Sequence, residues 1–274
     1  MLAGLVLVTA AACNSSSTSN GGSAAPSVNP NDPNSIISAV AESQIKSFHI
    51  KVAASGTFKS ASLSGSSIAG ALSGDLKLDG ASLEGDVDVT NKAVHLTVSL
   101  PAVPIVAFVS VPMSGDIIVV DNAVYYKFGV TGLPGTKYTK SDLAGLAGRV
   151  GISVPAAGSS PITPQSLKSA MAKAGVTPNV VGVEQIGGQD AYRISFLLPL
   201  DLINALLGAE VGGASMKIDS MSIDVWVYKN GYRPAKAEFK EGSAAVGDID
   251  LTATISDYDK SVTVTAPAAG DIAQ

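Results

Sequence analysis

The sequence predicts an α+β fold in which a single curved antiparallel β-sheet, a half-barrel of about 10–11 strands, carries helices on its concave face. Three observations predict it. Segments with apolar side chains at every second position recur over residues 48–258, which is typical of strands buried on one face. Tight turns such as Asn91-Lys92 and Asn230-Gly231 join many of them, and short connections pair strands antiparallel. A sheet of this many strands tends to curl.

The elements follow one another along a single domain over residues 32–267. Asp32 suits an N-cap and Pro33 suits the first helical position, so a helix is predicted there. Gly175 is suited to close a later helix as its C-cap. The predicted helices cover 33–46, 141–150, 164–174 and about 199–207. The predicted strands cover 48–58, 72–78, 87–89, 94–98, 117–120, 124–128, 180–186, 191–197, 216–228, 234–240 and 248–258.

The segment Leu100–Met113 is strongly apolar but contains Pro101, Pro104 and Pro112. Proline cannot donate a ladder hydrogen bond and is confined to sheet edges, strand starts and bulges. The sequence therefore predicts that this segment stays out of the central strands. It is also too short and too interrupted to span a membrane, for which about 20 apolar residues are needed.

Composition excludes some function classes. Charged residues make up 15% of the 274 residues, the net charge is −5 and the 18 Lys and Arg form no basic run. This pattern argues against nucleic-acid binding and against a polybasic membrane contact. The mean hydropathy of +0.32 is high, so part of the apolar surplus is expected to face something other than the protein's own core.

The N-terminal residues predict export and anchoring. Residues 1–12 (MLAGLVLVTAAA) are apolar and end in small residues before Cys13, which is typical of a signal peptide. The order of apolar core, Ala-Ala-Cys and Asn-Ser-Ser-Ser resembles a bacterial lipobox, which implies that Cys13 carries the lipid anchor. Residues 13–31 are poor in large apolar side chains and are expected to be a flexible tether. The alternative is an incidental cysteine behind a short apolar leader.

Three segments resemble the actinobacterial LppX/LprA/LprF/LprG lipoproteins. They are 183–194 (VEQIGGQDAYRI), 223–234 (IDVWVYKNGYRP) and 255–267 (ISDYDKSVTVTAP), and the likeness is better over 176–267 than over 33–175. The resemblance implies a LolA-like fold, a curved antiparallel sheet wrapped on helices. It also implies an apolar cavity between sheet and helices that holds acylated glycolipids or other lipids, carried through the cell envelope.

Apolar segments supply candidates for the lining of such a cavity. Phe196–Leu207 is apolar on nearly every face, and Leu100–Met113 is similarly apolar. An all-apolar helix is buried or meets apolar ligand, although the same residues could simply pack in the core. The candidate lining residues are Val103, Ile105, Val109, Leu143, Leu146, Leu198, Leu202, Ile203 and Leu206.

An enzyme is the alternative class of protein, and the sequence contains little that supports it. His49 and His95 lie in strand-like segments and belong to no catalytic motif. The pairs Asp86/Asp88 and Asp248/Asp250 could serve acid–base chemistry or bind Ca²⁺, but the solvent face of a strand explains them more simply. Trp226 is expected to be a core or edge anchor. No catalytic residue, metal ligand or cofactor is predicted.

The sequence therefore predicts a monomeric lipoprotein, held at the plasma membrane through acylated Cys13 and facing the periplasmic side. Its ligand is expected to be a lipid or acylated glycolipid, and an envelope transporter is a possible partner. The alternative function is that of a non-transporting scaffold or regulatory lipoprotein that engages an envelope partner. Residues 268–274 are expected to form a C-terminal tail.

Overall fold

A computed structural model describes residues 28–60, 74–106, 109–133, 135–142, 172, 175–197, 221–243 and 247–273. Over these ranges the chain forms one unclosed antiparallel sheet of twelve strands. The elements are α1 (Pro33–Glu42), β1 (Ser47–Phe58), β2 (Leu76–Lys77), β3 (Ala81–Asp88), β4 (Ala93–Val106), β5 (Val109–Val120), β6 (Ala123–Val130), β7 (Thr139–Asp142), β8 (Thr177–Ile186), β9 (Gln189–Leu197), β10 (Met221–Tyr228), β11 (Pro234–Ser243), β12 (Gly247–Ser256) and a 3₁₀ turn (Ala269–Asp271).

The sheet consists of two meanders joined side by side. Strands β3 to β7 run outward in chain order on one flank, strands β12 to β8 run outward in reverse order on the other, and β1 lies between them. The join is the antiparallel pair β1–β12, in which Ile50 lies opposite Ile255 and Val52 opposite Ala253. Strand β2 pairs with the end of β1. The predicted single curved antiparallel sheet is confirmed, with one or two strands more than expected.

Helix α1 begins as the sequence predicts. Asp32 accepts a hydrogen bond from the backbone N–H of Asn34 at 3.0 Å, and Pro33 occupies the first helical position. The helix ends at Glu42 rather than at residue 46, because the chain becomes extended at Ser43. Ile45 then packs in the sheet core instead of continuing the helical stripe.

The prediction that prolines exclude residues 100–113 from the central strands is wrong. Strands β4 and β5 pair through this segment and lie inside the sheet, between β3 and β6. The register of the pair shifts between Leu100 and Val103 and again between Pro104 and Val106. These irregularities accommodate Pro101 and Pro104 at positions where the regular ladder is already interrupted.

Other sequence predictions meet the structure only in part. Ser141 and Asp142 belong to β7, so the predicted start of a helix at Ser141 is wrong, because these residues pair with β6. Gly175 has φ +66° and donates to the carbonyl of helical Ala172 at 3.1 Å, as expected of a C-cap. Residues 143–171 and 199–207 lie outside the described residues.

The C-terminal residues return to the sheet. Ile272 forms a parallel bridge with Tyr138, just before β7. Tyr138 donates to the Asp271 carbonyl and accepts from the Ala273 N–H, both at 2.8 Å. These backbone bonds fix the last described residues beside the edge strand β7.

Candidate functional site

One face of the sheet, here called the apolar face, carries almost only apolar side chains. The register aligns alternate residues of neighbouring strands, so that Phe48 of β1 lies opposite Val87 of β3, and Leu83 opposite Val98 of β4. Because strand side chains alternate between faces, the whole set shares one side. The set includes Phe48, Ile50, Val52, Ala54, Leu83, Val87, Val94, Leu96, Val98, Ile117, Tyr126, Phe128, Ile194, Phe196, Ile223, Val225, Phe239, Leu251, Ala253 and Ile255.

Helix α1 covers part of this apolar face. Ile36 is fully buried and packs with Tyr192, Ile194 and Val227 of β9 and β10. Burying such side chains contributes about 1.5–3 kcal/mol each, so the helix is fixed over this flank. On this flank the apolar face therefore belongs to the protein's own core.

The apolar face of β4 to β6 is buried at some positions, such as Leu96, and partly open to solvent at others. Val98, Ile117 and Tyr126 are half-buried, and Phe128 is 40% exposed. Exposed large side chains on an otherwise apolar surface often indicate a binding site. This flank of the apolar face is therefore a candidate surface for an apolar ligand.

The predicted lining residues fall in two groups. Val103 of β4 is buried opposite Val111, and Val109 at the start of β5 is 47% exposed. Ile105 lies in β4. The other six, Leu143, Leu146, Leu198, Leu202, Ile203 and Leu206, lie outside the described residues, as does Cys13. The structure brings Val103 and Val109 to the paired strands β4 and β5.

The opposite face, here called the polar face, carries charged side chains paired across strands. His49 contacts Asp86 Oδ1 at 2.8 Å and Glu84 Oε1 at 3.4 Å. Lys51 forms an ion pair with Glu84 at 3.1 Å, and its hydrogen bond is the main reason why the pKa of Glu84 is lowered. These contacts explain His49 as part of a solvent-facing charge network.

A second charged group lies on the polar face of β4 to β6. Asp116 pairs with Lys127 at 3.0 Å and with His95 at 3.5 Å. Burial acts to raise the pKa of Asp116, but the hydrogen bonds from Lys127 and His95 outweigh it and lower the pKa. Beside these residues is a depression of about 150 Å³, which Phe128 and Leu133 also line. It is smaller than the roughly 300–1,000 Å³ of usual ligand pockets.

Trp226 anchors the polar face of β9 and β10. It is 3% exposed, with Arg193 at 5.2 Å and Lys236 at 4.6 Å from its ring centre. Its indole N–H donates to Glu184 Oε2 at 2.8 Å. This hydrogen bond is the main reason why the pKa of Glu184 is lowered, and the hydrogen bond from Arg193 is the second. The prediction that Trp226 is an anchor is confirmed.

The two pairs of aspartates proposed for acid–base chemistry or Ca²⁺ binding differ in how far they are exposed. Asp248 and Asp250 are exposed on β12, as the solvent-face interpretation predicts. Asp88 differs, because it is 8% exposed and accepts hydrogen bonds from the backbone and side chain of Asn91. These bonds tie Asp88 to the turn that follows β3, and because Asp88 is buried the solvent-face interpretation is wrong for it.

Sequence reasoning missed Glu241. Its side chain is 5% exposed and lies on the apolar face of β11, where it aligns with Phe239 along the strand and with Ile249 on β12. Burial raises the pKa of Glu241. The alternation of Ala237 and Phe239 could have revealed it, since Glu241 is the next residue in phase.

Across the described ranges, no cluster of three or more His, Cys, Asp or Glu side chains has an arrangement suited to a metal ion. Within those same ranges, no helix has the length and apolar character needed to cross a membrane.

Comparison with known proteins gives structural matches. No protein-family model matches the chain, and no curated protein matches it. The lipoprotein LppX of Mycobacterium tuberculosis is similar in structure, with a TM-score of 0.48 and 16% identity over 85% of this chain and 100% of that chain. LprF of Mycobacterium bovis gives a TM-score of 0.47 and 14% identity over 87% of this chain and 99% of that chain. Each match spans most of this chain and nearly all of the matched chain.

A DUF1329 family protein from Desulfovibrio piger matches more weakly, with a TM-score of 0.24 and 9% identity over 84% of this chain and 93% of that chain. The strand order and register described above establish the fold of this chain independently of these matches.

Proposed function

We propose that this chain is a cell-envelope lipoprotein that binds a lipid or acylated glycolipid against the apolar face and carries it across the periplasmic space. The observation that supports the proposal is the half-buried apolar surface over β4 to β6, where Phe128 is 40% exposed. Removing acyl chains from water contributes about 25 cal/mol per Å². Such burial needs few polar contacts and no cofactor.

The anchor is part of the proposal. Cys13, at the end of the apolar leader, would carry acyl chains that hold a monomeric domain at the outer side of the plasma membrane. Each buried CH₂ contributes about 0.8 kcal/mol, so several chains give stable anchoring. Residues 14–31 would let the domain reach the bilayer, and an envelope transporter could deliver the ligand.

The anchor is tested with Cys13→Ser in a bacterial host that acylates exported cysteines. We expect the unaltered chain in the membrane fraction and the variant in the soluble fraction. Cleaved Cys13→Ser protein that still sediments with membranes would contradict the anchor without bearing on the apolar face.

Ligand binding is tested by native mass spectrometry of residues 32–274 purified from a lipid-rich bacterial host, followed by solvent extraction. A stoichiometric adduct that releases acylated lipid supports the proposal. A clean apo mass, with no lipid taken up from added vesicles, would overturn it.

Two neighbouring residues of β4 provide matched variants for this test. Val98 is half-buried on the apolar face, whereas Thr97 is exposed on the polar face. Val98→Asn introduces an amide where acyl chains would lie, and Thr97→Asn introduces the same amide facing water. We expect Val98→Asn alone to lose bound lipid, with both variants showing the circular dichroism of a folded sheet.

A non-transporting scaffold is the second candidate. The observation that favours it is the flank under α1, where Ile36 and Ile194 already fill the apolar face with the protein's own side chains. A scaffold would carry no extractable lipid and would bind a protein of the envelope.

A further inference from the structure

Glu241 carries a buried carboxyl group, and the described contacts around it do not explain why a polar group is buried there. The structure describes three buried polar residues, Ser47, Asp88 and Glu241. Ser47 donates to the Lys260 carbonyl, and Asp88 accepts from Asn91. Within the described part of the chain, Glu241 Oε1 is fully buried and has no hydrogen-bond partner.

The neighbours of Glu241 on the apolar face are hydrocarbon. Ile249 lies opposite it on β12, and Phe239 lies two residues before it on β11. The charged residues of the same strand point the other way: Lys236 and Glu238 pair with each other on the polar face. No described cation therefore neutralises the carboxyl group, and its burial favours the uncharged acid.

Burying a carboxyl group with an unpartnered oxygen is unfavourable, and an apolar residue at this place would extend the core that Ile249 already joins. A neutral carboxylic acid has one O–H donor and free acceptor capacity. Such a group fits a ligand atom that arrives on the apolar face and can hydrogen-bond without carrying charge.

We propose that Glu241 binds the uncharged linkage region of the lipid, donating to an ester carbonyl or exchanging hydrogen bonds with a hydroxyl group. This inference rests on the proposed function of the apolar face. Glu241 lies two residues before the end of β11 at Ser243. The acyl chains would extend from there across the face, past Phe239 and Leu251 and over β1 and β3 toward the half-buried surface on β4 to β6. The linkage would lie near the end of β11.

The proposal is tested by competition between two probes of similar apolar size. Dipalmitoylglycerol has two esters and a hydroxyl group, whereas squalane is a hydrocarbon with neither. Full-length protein is incubated with phosphatidylcholine vesicles that contain both probes in equal amounts, and the ratio of the two in the recovered protein is measured by mass spectrometry. The variants are Glu241→Gln and Glu241→Leu.

We expect unaltered protein to favour dipalmitoylglycerol. Glu241→Gln, which keeps a donor and an acceptor, should preserve the ratio, and Glu241→Leu should lower it about tenfold, the size expected for one hydrogen bond to a buried group. Squalane uptake by Glu241→Leu should be unchanged or higher, which also shows that the variant is folded. Glu238→Gln, on the opposite face of the same strand, is the control and should leave the ratio unchanged.

The other outcomes separate the two proposals. An unchanged ratio in Glu241→Leu, with both probes bound, would overturn the role of Glu241 and leave lipid binding intact. An equal fall in Glu241→Gln and Glu241→Leu would show that the charged carboxylate is recognised, which overturns an uncharged linkage as the ligand. Failure of the unaltered protein to take up either probe would overturn the proposed function itself.

Discussion

Replacing Ile36 by Ala tests whether α1 is fixed on the apolar face. Ile36 has no exposed surface and packs with Tyr192, Ile194 and Val227. The substitution removes three carbon groups, which at about 0.8 kcal/mol each amounts to about 2.4 kcal/mol. The cavity left between helix and sheet adds to this, so we expect a loss of about 3–4 kcal/mol in the free energy of unfolding.

The measurement is thermal unfolding of residues 28–274, followed by circular dichroism. For a domain of this size a loss of 1 kcal/mol lowers the melting temperature by about 2–4 °C, so Ile36→Ala should melt about 10 °C lower. Ile37→Ala is the matched control, because Ile37 is the next residue of the same helix and is only half-buried. The change in helix propensity is the same for both, and the control should lose about 1 kcal/mol.

The comparison can refute the packing described above. Equal losses for Ile36→Ala and Ile37→Ala would mean that the helix presents a different side to the sheet. A loss below about 1 kcal/mol for Ile36→Ala, the range of exposed sites, would mean that α1 is not held on β9 and β10.

Three further predictions follow from the same contacts. Gly85→Ala should prevent normal pairing of β3 and β4, because a Cβ atom there would lie 1.9 Å from the His95 carbonyl oxygen. The yield of folded protein measures this effect, and Gly182→Ala in β8, where a Cβ atom meets no atom within 4 Å, is the control. Burial raises the pKa of Glu241 above its ordinary 4.5, so the unfolded chain releases this proton first. The delipidated protein should therefore lose stability relative to Glu241→Gln as the pH rises from about 4.5 through the folded pKa, by at most about 1.4 kcal/mol per pH unit. Urea unfolding at several pH values measures this difference in stability. A difference that stays constant with pH would contradict the prediction. Trp226→Phe removes the indole N–H that donates to Glu184, so the pKa of Glu184 should rise in a carboxyl NMR titration. An unchanged pKa of Glu184 in this variant would mean that Arg193, and not Trp226, lowers it.

Some features of the site were visible in the sequence. The alternation of apolar and polar residues in 48–54 places Phe48, Ile50 and Val52 on one face whatever the neighbouring strands are, and the structure has them there. The cap at Asp32 and the turn glycines are equally local. The motif segments 183–194 and 223–234 form the β8–β9 and β10–β11 hairpins, which include Trp226 and Arg193.

Other features depended on how neighbouring strands pair, which the alternation within one strand does not reveal. Pro101 and Pro104 argue against a strand when each is considered alone, and only the shifted register against β5 shows how β4 accommodates them. Glu241 has the same difficulty, since a glutamate late in a strand usually faces water. Its burial arises because Ile249 and the neighbouring strands surround it.

The sequence by itself determined the local properties of this protein: the strand period, the helix start at Asp32, the turns, and the apolar leader before Cys13. These depend on residues within a few positions of one another. Only the tertiary structure decided that β1 pairs with β12 and so joins two meanders into one sheet. It also decided which flank of the apolar face α1 covers and where a carboxyl group is buried on it, because both outcomes depend on contacts between different elements rather than on the residues within one of them.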